Sequence, residues 1–260
     1  MSVFLFNQIV FGPVRSRRFG VSLGINLLPF NSKLCSFNCV YCECGNTTAT
    51  PTGSNQPLAR RSEIIQAVEQ RFSQLRVLQR IPDSITFAGN GEPTLHPEFP
   101  AIIFDVIRIR NLYLPESRIT VLSNATFGNN SEIIDALMQV DNNVMKLDAG
   151  YNNVMQAINR PLLPCSVESI VETMLKLNGM LKVQSLFLRA TINHSRIDNT
   201  ANHHVDEWLH QLKKIRPRSV MIYPVDRATA ENGIEKISSK ELEQIAQKVS
   251  QAGINTEVFC

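Results

Sequence analysis

Three cysteines close to the amino-terminal end of this 260-residue chain have the type and spacing to do chemistry. Cys35, Cys39 and Cys42 form a C-x3-C-x2-C pattern that follows a stretch of alternating apolar residues. Cysteine thiolates are the usual ligands of iron–sulfur clusters, so this trio could hold three irons of a four-iron cluster. The fourth iron would then have no protein ligand, and a small molecule could bind and be reduced there.

A structural zinc site is the alternative interpretation of the same segment. Cys44 would complete a C-x3-C-x2-C-x-C array, although structural zinc sites prefer paired C-x2-C knuckles and a closed tetrahedron. If a cluster forms instead, Cys44, Cys165 and Cys260 are expected to be free thiols. These three are too scattered in sequence to indicate a second cluster.

The overall composition is that of a soluble globular protein, with 43% hydrophobic and 19% charged residues. A formal charge of +3 allows a nucleic-acid partner without requiring one. Of the six cysteines, four lie within residues 35–44, and this clustering fits metal chemistry in a reducing compartment better than a disulfide framework. The sequence has no basic leader and no apolar run of membrane-spanning length, so we expect a cytoplasmic protein of one domain, 1–260, without a membrane partner.

Short apolar runs alternate with helical patterns along the chain. The runs predict strands at about 20–27, 83–89, 118–124, 143–149, 185–193 and 219–225. The helical patterns predict helices at about 61–79, 98–111, 131–139, 166–180, 203–214 and 238–252. Six successive β–α units imply parallel strands joined by right-handed crossovers. The predicted fold class is α/β, a partial TIM barrel of (β/α)6 type, with a loop at 45–57 and a candidate seventh strand at 254–259.

Alternation along these strands separates an apolar face from an unusually polar one. A packed barrel fills its interior with branched apolar layers, so polar inward faces indicate a lumen that holds a polar ligand. The inward residues include Lys146 and Asp148 on the fourth predicted strand, Arg189 and Asn193 on the fifth, and Tyr223 on the sixth. The alternative to ligand binding is a structural role. Asp148 would then form an ion pair with Lys146 or Arg189, and Tyr223 would only pack against its neighbours.

A glycine-rich turn follows the second predicted strand. Its residues are Gly89, Asn90, Gly91, Glu92 and Pro93. Glycine lets a backbone approach a ligand closely and adopt positive φ, and asparagine also accepts positive φ; an ordinary tight turn is the alternative. Ser123 and Asn124 end the third predicted strand, and the alternation places Asn124 on its inward face.

The cysteine spacing, with the aromatic residue Tyr41 before the third cysteine, resembles the signature of the radical S-adenosylmethionine (radical SAM) superfamily. The glycine turn looks like the Gly-Gly-Glu-Pro turn of that superfamily. Further segments look like a bacterial subgroup related to the wyosine-base synthases that act on tRNA: Phe11–Gly20, Leu23–Pro29, Lys146–Gly150 and Ile158–Pro161. The resemblance covers roughly residues 10 to 225, and the superfamily has the partial-barrel fold.

The resemblance implies an enzyme whose [4Fe–4S] cluster, held by Cys35, Cys39 and Cys42, binds S-adenosyl-L-methionine at its open iron. An electron from the reduced cluster would break a sulfonium carbon–sulfur bond, and the 5′-deoxyadenosyl radical would abstract hydrogen from a substrate. The protein would supply position and exclude water. Backbone carbonyls of the glycine turn would receive the methionine ammonium, Glu92 would orient the turn, and Tyr41 would shield the cluster.

Inward-facing side chains at the strand ends are candidates for binding the cofactor and the substrate. Ser123 and Asn124 resemble the position that contacts the cofactor in the superfamily. Asp148 is a candidate for binding ribose or substrate hydroxyls, and Lys146, the candidate catalytic residue, for binding a substrate carboxylate or phosphate. Further candidates for contacts with the carboxylate, ribose and adenine of the cofactor are Arg189, Asn193 and Tyr223.

The substrate is the least determined part of this interpretation. The subgroup resemblance suggests a tRNA base; a peptide, protein or small metabolite is the alternative, and an iron–sulfur or zinc scaffold is the alternative outside enzymes. The wyosine-base synthases use a second cluster, for which no clustered cysteines are seen here. An electron donor such as a flavodoxin or ferredoxin is expected. Basic side chains gathered at the barrel mouth would favour RNA, and the candidates are Arg15, Arg17, Arg18, Arg60 and Arg61.

Overall fold

The computed structural model describes residues 4–47, 57–192, 194–227 and 229–260. The strands in these residues are β1 Val10–Ser16, β2 Gly20–Ile25, β3 Ser84–Phe87, β4 Arg118–Ser123, β5 Asn142–Lys146, β6 Lys182–Ile192, β7 Ser195–Asp198, β8 Ser219–Pro224, β9 Ile234–Lys236 and β10 Thr256–Val258. The α-helices are α1 Arg61–Val77, α2 Phe99–Tyr113, α3 Ser131–Met138, α4 Asn152–Asn159, α5 Val167–Leu175, α6 Asn202–Ile215 and α7 Ser239–Gln251. Most of the predicted loop at 45–57 lies outside the described residues.

The strands form one open sheet. Its order is β1-β2-β3-β4-β5-β6-β8-β10, with β7 and β9 paired to β6. Every neighbouring pair from β2 to β10 in this order is parallel. Because β1 and β10 remain at the two edges, the sheet is a partial barrel. The six predicted β–α units are confirmed, and so is the additional terminal strand, which is β10.

The strand β1 was not predicted from the sequence. It pairs antiparallel with β2, and the turn between them, residues 17–19, lies at the amino-terminal end of the parallel strands. Pro13 and the glycine before it interrupt the alternating pattern that predicts a strand. An edge strand tolerates proline because its outward N–H groups are not needed for pairing. The short elements α4, β7 and β9 were also not predicted.

The predicted inward face of β6 is wrong by one residue. Gln184 and Leu186 line the interior of the barrel, whereas Phe187 packs on the other side against Trp208 of α6, with ring centroids 5.1 Å apart. The strand has 11 residues, and its second half extends to pair with β7 and β9. The apolar alternation from 186 to 192 therefore reflects packing in this extension as well as in the barrel.

Polar side chains bond one another in the amino-terminal half of the barrel interior. The hydroxyl oxygens of Ser22 and Thr86 lie 2.8 Å apart, and the Ser84 hydroxyl lies 3.0 Å from that of Thr86 and 2.9 Å from that of Thr120. Buried polar groups need partners, and these groups supply partners to one another. The polar lumen therefore needs no ligand in this half, and the prediction of a polar ligand applies only nearer the carboxyl ends of the strands.

Candidate active site

The cysteine loop follows β2 and lies against the glycine turn that follows β3. Leu34 joins the two segments: its N–H donates to the carbonyl of Asn90 at 2.9 Å, and its carbonyl accepts from the N–H of Glu92 at 3.0 Å. Both segments therefore stand at the carboxyl ends of parallel strands, where α/β barrels place their active sites.

A cavity of about 200 Å³ opens between these segments, and the cysteines line it. The thiols of Cys35, Cys39, Cys42 and Cys44 all contribute to its wall. Cys39 is buried, whereas the other three are half-buried. The structure thus brings the predicted trio to one cavity, and it brings Cys44 there as well.

Two glycines of the turn are required by the backbone. Gly89 and Gly91 have φ values of +150° and +141°, which side chains rarely tolerate. A Cβ on Gly91 would lie 1.7 Å from the carbonyl oxygen of Leu34, and one on Gly89 would lie 2.4 Å from the amide oxygen of Asn26. The carbonyl of Gly89 is oriented towards the cavity, since the Cys44 thiol donates to it at 3.4 Å.

The side chain of Asn90 holds the amino-terminal segment against the turn. Asn90 is not among the residues with positive φ. Its buried side-chain amide donates to the carbonyls of Phe6 and Pro29, both at 2.8 Å, and accepts from the N–H of Phe6 at 2.9 Å. Asn90 thus does not use the positive φ that asparagine tolerates, and its side chain fixes the amino-terminal segment to the turn through these three hydrogen bonds.

Glu92 joins the glycine turn to the end of β4. The carboxylate accepts from the N–H and hydroxyl of Thr94, from the Ser123 hydroxyl at 2.8 Å and from the Asn124 N–H at 2.7 Å. Burial raises the pKa of Glu92, and these hydrogen bonds oppose the rise. The geometry agrees with the predicted role of Glu92 in orienting the turn.

Asn124 faces the cysteine loop. Its side-chain amide donates to the Ser36 hydroxyl at 2.8 Å and lies 3.7 Å from the sulfur of Cys35. Its oxygen accepts from the N–H and hydroxyl of Thr126. Ser123 lines the cavity, but its hydroxyl is used by Glu92. Both side chains therefore hold the walls of the cavity together.

Lys146, Tyr41 and Asp148 form a buried chain of hydrogen bonds. Lys146 donates to the Tyr41 hydroxyl, which donates to Asp148, and the lysine nitrogen lies 3.7 Å from the carboxylate. Asp148 also accepts from the side chain of Asn159 at 2.7 Å and from the N–H of Leu186 at 2.9 Å. Both carboxylate oxygens thus have partners, which fits the structural ion pair; the contact with ribose stays a prediction.

The charges in this chain of bonds are set by burial and by one another. Burial raises the pKa of Tyr41, and the neighbouring charge of Asp148 raises it further. Burial has the largest single effect on Lys146 and lowers its pKa, but the charge of Asp148, together with those of Cys39, Tyr223 and Cys42, more than offsets burial, so the pKa is raised. Lys146 therefore stays cationic while it lines the cavity.

Three predicted residues of the later strands have separate outcomes. Arg189 was predicted to face inward, but it pairs with Glu241 of α7 at 2.6 Å and with Asp198 at 3.4 Å. That prediction is wrong because the alternation in β6 is shifted by one residue. Asn193 lies outside the described residues. Tyr223 lines a second cavity, of about 270 Å³, which shares Tyr41 and Cys42 with the first.

Lys33 and Asn159 contact the cysteine segment and were not predicted as site residues. Lys33 is buried, lines the cavity and donates to the carbonyl of Gly45 at 3.0 Å. Asn159 donates to the sulfur of Cys39 at 3.5 Å. A single lysine or asparagine forms no spacing pattern, so only the position of Lys33 two residues before a cysteine could have indicated it.

The cysteine thiols differ in their affinity for protons. Hydrogen bonding with Cys44, from its backbone as well as its side chain, and the charge of Lys33 lower the pKa of Cys42 to about 5. Burial raises the pKa of Cys35 to about 12 and also raises that of Cys39. Metal ligation requires thiolates, and a bound cation would favour them in all three.

The lining of the cavity fits an iron–sulfur cluster, because cysteine thiolates are the usual protein ligands of such clusters. Among the described residues, no three His, Cys, Asp or Glu side chains lie close enough together to hold a metal ion directly. The thiols instead line a cavity with two more thiolate-stabilising features, the Lys33 cation and the amide donors of Asn124 and Asn159. Fold and site together define an α/β partial-barrel enzyme with a thiol-lined cavity at the carboxyl ends of its strands.

The family is given by comparison with known sequences. The model of the radical SAM superfamily matches residues 32–201, and the chain therefore belongs to that superfamily. Enzymes of the superfamily use a [4Fe–4S] cluster and S-adenosylmethionine and need a reductant, so the zinc alternative is set aside. None of the helices in the described residues combines the length and apolar character needed to cross a membrane.

Two curated relatives and one solved structure illustrate the similarity. A UPF0026 protein of Helicobacter pylori is 30% identical over 90% of this chain and 71% of its own length. A Brachyspira hyodysenteriae protein named GTPase Obg is 28% identical over 96% of this chain, which spans only 34% of that relative. A structure of TYW1 with a lysine-pyruvate adduct bound has a TM-score of 0.61 at 12% identity, covering 88% of this chain and 73% of that one. This last likeness concerns the fold alone.

Proposed function

We propose that the chain cleaves S-adenosylmethionine reductively at a [4Fe–4S] cluster held by Cys35, Cys39 and Cys42 and uses the resulting radical to modify a substrate. The observation that carries this proposal is the convergence of the three thiols on one cavity beside the positive-φ glycine turn. When bound, the cluster supplies the electron that breaks the sulfonium carbon–sulfur bond. We assign the three cysteines as ligands of the cluster because of their spacing in the sequence and because all three line the same cavity.

The residues around the cavity have separate tasks in this proposal. The carbonyl of Gly89, which faces the cavity, would accept a hydrogen bond from the ammonium group of the methionine moiety. Asn124 and Asn159 donate towards the sulfurs of Cys35 and Cys39, and hydrogen bonds to sulfur tune the potential of such clusters. Lys146 presents a cation to the cavity, where it suits a carboxylate or phosphate of the ligand.

Formation of 5′-deoxyadenosine tests the proposal. The protein is reconstituted anaerobically with iron and sulfide, reduced with dithionite, and incubated with S-adenosylmethionine. We expect the wild type to form 5′-deoxyadenosine and Cys39→Ala to form none. Cys165→Ala is the matched control, because this thiol lies outside the cavity that the other cysteines line. Binding of one zinc without cleavage would instead support a scaffold, and equal activity of both variants would refute the ligand assignment.

A tRNA base is the substrate class we propose first. Its support is the resemblance of four sequence segments to the wyosine-base synthase subgroup. The arginines considered for RNA binding weaken it, since Arg60 pairs with Glu63, and Arg61 pairs with Asp105 of α2. The test is incubation of the active enzyme with bulk tRNA and mass spectrometry of its nucleosides. A new nucleoside that forms only when S-adenosylmethionine is present would support tRNA as the substrate. An unchanged set of nucleosides would direct the search to peptides and small metabolites.

We further propose a flavodoxin or ferredoxin as the electron donor. In the cell, a small redox protein would supply the electron that dithionite supplies in the assay. It would have to dock so that its flavin or iron–sulfur centre lies close to the cysteine loop. Each protein is added to the reconstituted enzyme with its reductase and NADPH. Formation of 5′-deoxyadenosine without dithionite would support the proposal, and strict dependence on dithionite would contradict it.

A further inference from the structure

The second cavity lies where the partial barrel is open. Its walls come from both sides of the opening: the β1–β2 turn supplies Arg17 and Arg18, the end of β8 supplies Tyr223, and Phe259 follows the edge strand β10. Tyr41 and Cys42 separate it from the thiol-lined cavity and belong to both walls. A ligand in this second cavity, of about 270 Å³, would therefore lie directly beside the cluster position.

Three guanidinium groups line this cavity, and two of them have carboxylate partners. Arg17 pairs with Asp226 at 3.4 Å, and Arg227 pairs with Glu43 at 2.8 Å. Both pairs join elements on opposite sides of the opening. Such pairs leave little positive charge for a ligand, because each carboxylate already neutralises its arginine.

Arg18 differs from the other two in its partners. Among the described residues, its guanidinium contacts neutral groups: it donates to the side-chain oxygen of Gln184 and lies 4.5 Å from the ring centroid of Tyr223 and 5.5 Å from that of Phe19. The two aromatic contacts are of the cation–π type and orient the plane of the group. A half-buried cation with neutral partners retains its full charge for an incoming anion.

The chemistry of a guanidinium narrows the class of that anion. Its planar fork matches carboxylate and phosphate oxygens in bidentate fashion, and such charge-assisted pairs are stronger than neutral hydrogen bonds. Burying the charge without a counterion costs free energy, so a ligand that brings an anion into the cavity removes that cost.

We propose that Arg18 binds an anionic group of the substrate, a carboxylate or a phosphate, in the cavity at the open side of the barrel. The proposal rests on the proposed radical function, because it assigns the cavity beside the cluster to the substrate. In this proposal the function of strand β1 is to position Arg18, because the β1–β2 hairpin places this residue in the interior from the amino-terminal end of the parallel strands. The anion would hold the substrate while another part of it faces the cluster position.

The experiment measures binding of simple anions to the reconstituted protein by isothermal titration calorimetry. Inorganic phosphate and acetate are the two probes, each titrated without and with saturating S-adenosylmethionine. We expect the wild type to bind at least one of them, and Arg18→Gln to bind it about tenfold or more weakly, because a charged hydrogen bond is lost. Arg18→Lys should be intermediate, since it keeps the charge and loses the fork.

Arg17→Gln is the matched control, with the same charge change in the same turn. Because Arg17 is already paired with Asp226, we expect its loss to change the affinity by less than about threefold. Phosphate bound in preference to acetate would indicate a phosphate-bearing substrate, and the reverse a carboxylate-bearing one. If Arg18→Gln does not fold, as judged by circular dichroism and cluster absorbance, Arg18→Lys decides the question.

Several results would overturn the proposal. An equal loss of anion affinity in Arg17→Gln and Arg18→Gln would mean that the overall positive electrostatic potential of the cavity, and not Arg18 itself, attracts the anion. Competition between the probe and S-adenosylmethionine would assign Arg18 to the cofactor, and a wild type that binds neither probe would leave Arg18 a structural contact of the hairpin. Failure of the radical function would appear separately, as absence of 5′-deoxyadenosine with anion binding intact.

Discussion

Replacement of Glu92 by glutamine should destabilise the protein measurably. Glu92 is 2% exposed, and its two oxygens accept four hydrogen bonds. A glutamine can keep the three bonds to one oxygen, but its amide then faces the N–H of Asn124, a donor against a donor. An orphaned buried N–H costs about 1–3 kcal/mol. Because burial raises the pKa of Glu92, removing the charge recovers part of the desolvation cost, and we expect the lower half of this range.

Thermal unfolding of the apoprotein at pH 7 measures the effect of Glu92→Gln. For a chain of this size each kcal/mol corresponds to roughly 2–4 °C, so the Tm should fall by about 2–8 °C. Glu98→Gln is the matched control, because Glu98 is exposed, and its ΔΔG should remain within about 0.5 kcal/mol. Iron bound after reconstitution should also fall, since Asn124 holds the cysteine loop. Equal Tm values for the two variants and the wild type would refute the reasoning.

Three further outcomes are expected. Asn159→Leu should lower the midpoint potential of the cluster by about 20–60 mV, because it removes the N–H···S bond to Cys39; a potentiometric titration followed by electron paramagnetic resonance measures it, and an unchanged value contradicts it. Gly91→Ala should abolish iron binding, whereas Gly128→Ala, whose Cβ would meet nothing within 4 Å, should retain it. Glu241→Gln should destabilise by less than about 1 kcal/mol, and only at higher pH: its arginine partner lowers the pKa of Glu241 from 4.5, so the contribution is present above that value and disappears as the pH falls through the lower folded pKa. Urea unfolding from pH 7 downwards should show a difference between the variant and the wild type that is largest at pH 7 and declines as the pH falls below 4.5.

The hairpin of β1 and β2 shows why part of the site could not be predicted. Arg18 is one of several arginines in a polar stretch, and nothing in its spacing distinguishes it from Arg15 or Arg17. Its position in the barrel depends on the turn at 17–19, which only the pairing of β1 with β2 establishes. The contacts of Arg18 with Gln184 and Tyr223 depend on the curvature of the whole sheet, which brings distant strands close together.

The sequence by itself determined the alternation of strands and helices and the cysteine trio. Hydrophobic periodicity is a local property, and the spacing of Cys35, Cys39 and Cys42 is short enough to be visible within one loop. The glycine turn was recognisable for the same reason, because its residues are consecutive. These local signals sufficed for the fold class and the position of the cavity.

Only the tertiary structure decided which polar side chains face that cavity and which bond one another. The alternation of side chains along a strand defines two faces but not which of them faces the barrel interior. The sequence-based prediction therefore reverses the two faces of the long strand β6 and wrongly places Arg189 in the interior. Asp148 was correctly placed in the interior, yet its oxygens are taken by Tyr41, Asn159 and a backbone N–H. Hydrogen-bond partners from distant segments compete with a ligand for each polar atom, and that competition is a property of the folded chain.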